Sequence, residues 1–122
     1  MGEIINYIKS EIKEDIMLLH FDGSLLHDNI NDVRKDFEKI IRIMVEKKLN
    51  VLAIDLGGVL ECDSRGLGLL VKMKSQSVSL GFELVLYNLN TFIADLLELS
   101  TLGTLFKIMS LEDFGQKYLG FE

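Results

Sequence analysis

Proline is absent from the 122 residues, and cysteine occurs once. With no proline and no low-complexity stretch, nothing marks the start of a linker, and no internal repeat divides the chain. The lone Cys62 cannot close an internal disulfide, which favours a reducing compartment. No apolar run approaches the ~20 residues of a membrane span. The opening MGEIINYIKSEIKEDIM lacks the apolar core of a secretory signal. A basic excess is missing too: the formal net charge is −6 and the basic clusters are short, which argues against nucleic acid as a partner. No set of residues has metal-ligand spacing. The expectation is one cytoplasmic domain over residues 1–122, with no cofactor, no metal and no membrane partner.

What is present is enough to build a core. Apolar residues make up 48% of the chain and charged ones 26%, ordinary for a globular domain. Two extended segments come first, at 4–8 and 16–21, the second ending at the turn signal Asp22-Gly23. From Asn29 to Lys48 the apolar positions Ile30, Val33, Phe37, Ile40, Ile41 and Met44 keep helical spacing, with Asp28 or Asn29 as cap. Buried strands are expected at 51–55 and 83–87, and a short one at 105–109. Helices are expected at 66–80 and 91–99, the latter closed by Leu102-Gly103. Ser110-Leu111-Glu112-Asp113 has capping-box spacing and opens a last helix with Leu111, Phe114 and Tyr118 inward. Strands alternating with helices predict an α/β domain: a mixed sheet of four to five strands flanked by about four helices.

The densest chemistry lies in VLAIDLGGVLECDSRGLGLL, residues 51–70. The apolar run Val51 to Asp55 ends in Gly57-Gly58; an acidic corner with Glu61, Cys62, Asp63 and Ser64 follows, and then the start of a helix. A hydroxyl, backbone N–H groups and a helix dipole converge there. Within the helix, Gly66, Leu69, Leu70, Met73, Ser77 and Leu80 form the inward stripe. Ser64, Gly68, Lys72, Ser75 and Ser79 fall on the opposite side, a small and nearly flat face that periodicity alone reads as solvated.

The buried strand, Asp63-Ser64-x-Gly66-Leu67-Gly68, the helix and Gly81-x-x-Leu84-Val85-Leu86 together resemble the STAS domain, and more narrowly the stand-alone bacterial anti-sigma factor antagonists. The resemblance extends to Phe21-Asp22-Gly23, the segment 97–103 and Leu105-Phe106. It implies a transcription regulator that works by partner switching. Its unphosphorylated form would bind an anti-sigma factor that is also a GHKL-type serine kinase, releasing the sigma factor. Phosphorylation would fall on Ser64 and block binding, and a PP2C-type phosphatase would reset the protein. The implied partner surface is Asp63, Ser64, Arg65, Gly66, Leu67, Gly68 and Lys72, on a domain that is monomeric when free. Two positions depart from the family pattern. Leu26 stands where an acidic residue is usual, with Asp28 nearby but out of register, and Arg65 replaces a small polar residue.

Other readings of the same residues remain. Asp63 and Ser64 are also good helix caps. Cys62 reads most simply as a small buried side chain. A Cys- or Ser-dependent enzyme would need a base, and no motif connects His20 or His27 to the corner. The first glycine of a nucleophile elbow is absent, and the glycines form no nucleotide-binding fingerprint. A scaffold or sensor domain without Ser64 phosphorylation is the alternative within the same family.

Overall fold

A computed structural model describes residues 3–5, 8–25 and 29–120. Six strands form one sheet in sequence order: β1 (Glu3–Ile5), β2 (Ile8–Lys13), β3 (Ile16–Leu25), β4 (Val51–Cys62), β5 (Glu83–Tyr87) and β6 (Lys107–Met109). The first three pair antiparallel; β3 to β6 run parallel, linked by α1 (Ile30–Glu46), α2 (Ser64–Leu80) and α3 (Thr91–Leu99). The chain closes with α4 (Leu111–Tyr118). The mixed α/β sheet with four helices matches the sequence reading, with one more strand than expected. The segment read as a single strand at 4–8 is split, because Glu3–Ile5 folds back on Ile8–Ser10 as a hairpin.

The run at 51–54 lies inside the sheet and is covered on both faces, as a continuously apolar strand requires. Leu52 and Ile54 point into the larger cluster with Val33, Phe37, Ile40, Leu70, Met73, Ile93 and Leu97, so α1, α2 and α3 share that face. Ala53 points the other way, to Ile16, Leu18, Val85, Tyr87 and Phe114 under α4. The Phe114 ring stacks on Tyr87 at 4.0 Å between centroids. Helical spacing in α1 comes out as read: Val33, Phe37, Ile40, Ile41 and Met44 are buried.

Several boundaries differ from the sequence reading. Asp22-Gly23 does not turn the chain; β3 continues to Leu25 through register shifts against β4 at His20/Asp22 and Gly23/Ser24. The partner strand likewise continues past Gly57-Gly58 to Cys62. Gly58 makes this passage feasible, since a Cβ there would lie 2.0 Å from Asp22 Oδ1 and 2.8 Å from the Phe21 carbonyl oxygen. Helix α3 keeps its expected bounds but is capped at Ser100 rather than at Leu102-Gly103; Thr101 turns left-handed (φ 60°) and Leu102–Leu105 form a 3-10 turn. Ser110 caps α4 by accepting from the Asp113 N–H at 3.0 Å, but Leu111 is exposed, not inward. Asn29 flanks α1 without a side-chain cap bond, and Asp28 lies outside the described residues.

Candidate functional site at the start of α2

The site is built where β4 delivers the chain to α2. Asp63 sits in extended geometry, and its Oδ1 accepts from the N–H groups of Arg65 (3.0 Å) and Gly66 (3.1 Å). The Leu67 N–H reaches the Asp63 carbonyl at 3.0 Å. The Arg65 and Gly66 N–H groups are orphan donors of a helix start, so the capping carboxylate already occupies the place an external anion would take. Ser64, the first helical residue, is exposed.

The two stripes of α2 separate as the spacing predicts. Gly66, Leu69, Leu70, Met73 and Ser77 are buried, whereas Leu80, expected on that stripe, is exposed at the helix end. Ser64, Gly68, Lys72, Ser75 and Ser79 are all exposed. A Cβ added to Gly68 would meet nothing within 4 Å, so this part of the helix lies open. Of the residues the sequence places at the site, Ser64, Arg65, Gly68 and Lys72 come together on the surface. Gly66 is turned inward, and half-buried Leu67 packs against the core. Sequence spacing missed Arg34 of α1, which joins Arg65, Gly68 and Lys72 along the groove between the helices. Its signal was an exposed cation on the outer side of an amphipathic helix, with nothing in the sequence to say which helix it would face.

Cys62 is half-buried, with its thiol 3.5 Å from the Asp63 carbonyl oxygen. Burial, helped by the Asp63 charge, pushes its pKa up to about 11. A thiol held protonated is a poor nucleophile, which tells against the enzyme reading. His20 is engaged elsewhere: its Nδ1 lies 2.9 Å from Asp55 Oδ2, on the part of β4 before Gly57, whereas Cys62 ends that strand. Asp55 also accepts from the Gly57 N–H (2.8 Å) and from Asn88 Nδ2 (3.1 Å). Asn90 caps α3 through the Ile93 N–H and donates to the Val59 carbonyl at 2.7 Å. This cluster, beside a cavity of about 490 Å³, ties β3 and the middle of β4 to the segment between β5 and α3. Leu26 and His27 lie outside the described residues. Among the described residues, no group of His, Cys, Asp and Glu could hold a metal ion, and no helix is long and apolar enough to cross a membrane.

Comparison with known proteins gives a consistent family picture. The STAS domain model matches residues 7–113. No curated protein matches the sequence. Among solved structures, a Thermotoga maritima protein described as a candidate anti-sigma factor antagonist has a TM-score of 0.76 at 21% identity, covering 92% of this chain and 94% of its own. The anti-sigma factor antagonist SpoIIAA in its unphosphorylated form has a TM-score of 0.69 at 15% identity, with 94% and 98% covered. The Bacillus cell fate determinant SpoIIAA in its phosphorylated form has a TM-score of 0.56 at 17% identity, with 87% and 94% covered.

Proposed function

The chain belongs to the STAS domain family, and on that premise we propose that it is an anti-sigma factor antagonist switched by phosphorylation of Ser64. The observation that carries the reading is the exposed Ser64 at the first position of α2, a helix start capped by Asp63, beside an open helix face. In this reading the free, monomeric domain presents Ser64, Arg65, Gly68 and Lys72 to an anti-sigma factor. That partner is a serine kinase of GHKL type, and binding it releases the sigma factor. Transfer of a phosphoryl group to Ser64 ends the complex, and a PP2C-type phosphatase restores the hydroxyl. The likeness of the fold to SpoIIAA, solved in both phosphorylation states, supports the assignment.

The physical basis of the switch is desolvation. A phosphate adds about −1.5 to −2 charges and three acceptor oxygens at neutral pH. The helix dipole offsets part of this by ~1 kcal/mol. The N–H donors of Arg65 and Gly66 are already committed to Asp63, whose carboxylate adds repulsion. Bringing such a group into a contact shaped for a hydroxyl costs several kcal/mol, enough to lower affinity by orders of magnitude. The domain itself stays folded, because Ser64 is exposed and takes part in no core contact.

Affinity titration against the GHKL-type kinases of the same organism tests this. Ser64→Ala should bind one of them as tightly as wild type, and Ser64→Asp should bind about tenfold or more weakly. Equal affinities for the two variants would remove the switch from Ser64.

A further inference from the structure

We propose that the groove between α1 and α2 is a docking site for an acidic segment of a partner protein; this deepens, and rests on, the reading of α2 as the partner face. Arg34 from α1 and Arg65 and Lys72 from α2 line a space of about 350 Å³, and among the described residues no acidic side chain stands in its wall. Among the described residues, none of the three cations forms an ion pair; Arg34 is held by donating to Asn31 Oδ1 at 2.9 Å. In a chain with 19 acidic and 13 basic residues, three cations around one groove are a local inversion of the overall charge. Gly68 keeps the floor low, so side chains of a partner can reach the guanidinium groups of Arg34 and Arg65. A guanidinium fork takes a carboxylate in two parallel hydrogen bonds, a geometry suited to Asp and Glu.

Charge complementarity therefore selects the occupant. A nucleic acid presents an extended row of phosphates and needs a long cationic track, whereas three cations line this groove. A short run of Asp and Glu matches the size of the site. Ser64 lies one helical turn before Gly68 on the same exposed stripe, so a phosphate on Ser64 would stand at the mouth of the groove. It would draw on Arg65 and repel the segment that the groove attracts.

Amide chemical shifts of labelled protein, titrated with a hexaglutamate peptide, test the groove without any kinase present. Shifts should concentrate at residues 30–34 and 64–72. The dissociation constant should rise about fivefold or more between 50 and 300 mM NaCl, as for a screened ionic contact. Combined Arg34→Gln, Arg65→Gln and Lys72→Gln should weaken binding about tenfold while the melting temperature holds, and Ser64→Asp alone should weaken it about threefold. Shifts spread over every surface cation, or a triple variant that binds like wild type, would overturn the proposal. So would tighter binding of an RNA hexamer or of anionic phosphatidylserine vesicles at the same residues. Because the peptide carries no kinase activity, a negative result here with phosphorylation of Ser64 intact would remove the groove and leave the switch.

Discussion

Asp63 and Cys62 are neighbours whose environments give them opposite fates. The Asp63 carboxylate is stabilised by two backbone N–H groups, while the Cys62 thiolate is disfavoured by burial and by that same carboxylate. With the thiol pKa moved from 9.0 to about 11, thiolate at pH 8 falls about a hundredfold. The greater intrinsic nucleophilicity of a more basic thiolate restores about half of that on a logarithmic scale. Iodoacetamide should therefore alkylate Cys62 about tenfold more slowly than a free cysteine in the folded protein at pH 8. A rate at or above that of free cysteine would revive the enzyme reading. The cap was legible in the sequence because Asp-Ser before an amphipathic run has a local meaning. The commitment of the Arg65 and Gly66 N–H groups was not, since the same spacing would also suit a start that leaves them for a phosphate.

At the scale of elements, legibility followed how local each signal was. The Val33 to Met44 periodicity and the 51–54 run needed no tertiary information, and both came out as read. Strand ends did not, because Gly23, Gly57 and Gly58 read as stops where pairing across β3 and β4 turns them into irregularities inside continuous strands. Gly58→Ala should cost about 1–3 kcal/mol, as its Cβ would drive into Asp22 and the Phe21 backbone. Gly68→Ala, with open space around it in a helix interior, should instead be neutral or stabilising by up to ~1 kcal/mol. Denaturant melts of the two variants check the contrast, and equal effects would show that the β3–β4 passage is not tight.

α4 shows the same limit from the other side: its cap and its Phe114 face were readable, but its tether was not. Tyr118 donates to Glu83 on β5, and Lys107 on β6 lies 2.7 Å from the Tyr118 hydroxyl and 3.4 Å from the Glu83 carboxylate. The Tyr118 hydrogen bond, with Lys107 alongside, holds the Glu83 carboxyl below its ordinary value of 4.5 against the effect of burial. A depressed carboxylate pKa means the contribution is present above that ordinary value and is lost as pH falls through the folded one. Wild type should thus lose part of its advantage over Tyr118→Phe between pH 6 and pH 3, by less than ~1 kcal/mol because the cluster is exposed. Paired melts at the two pH values measure it. A constant gap between the proteins would mean that the tether does not titrate.

The whole molecule is a STAS platform that carries a charged groove on one side. The sheet, the two apolar clusters and the STAS match over residues 7–113 supply the platform. The charge around α2 comes from Arg65 and Lys72 on that helix and from Arg34, which joins them only through the packing of α1 against α2. A sequence pattern could point to Ser64 because the motif is contiguous; it could not point to a groove whose walls are more than thirty positions apart. In the proposed function Ser64 is the switch. Its most direct measurement is incubation of the protein with ATP and each GHKL-type kinase of the same organism, followed by mass spectrometric location of the phosphate. The prediction is a single phosphate on Ser64, with a melting temperature within about 2 °C of the unmodified protein. Phosphate on another residue, or Ser64 left unmodified by every kinase, would contradict it.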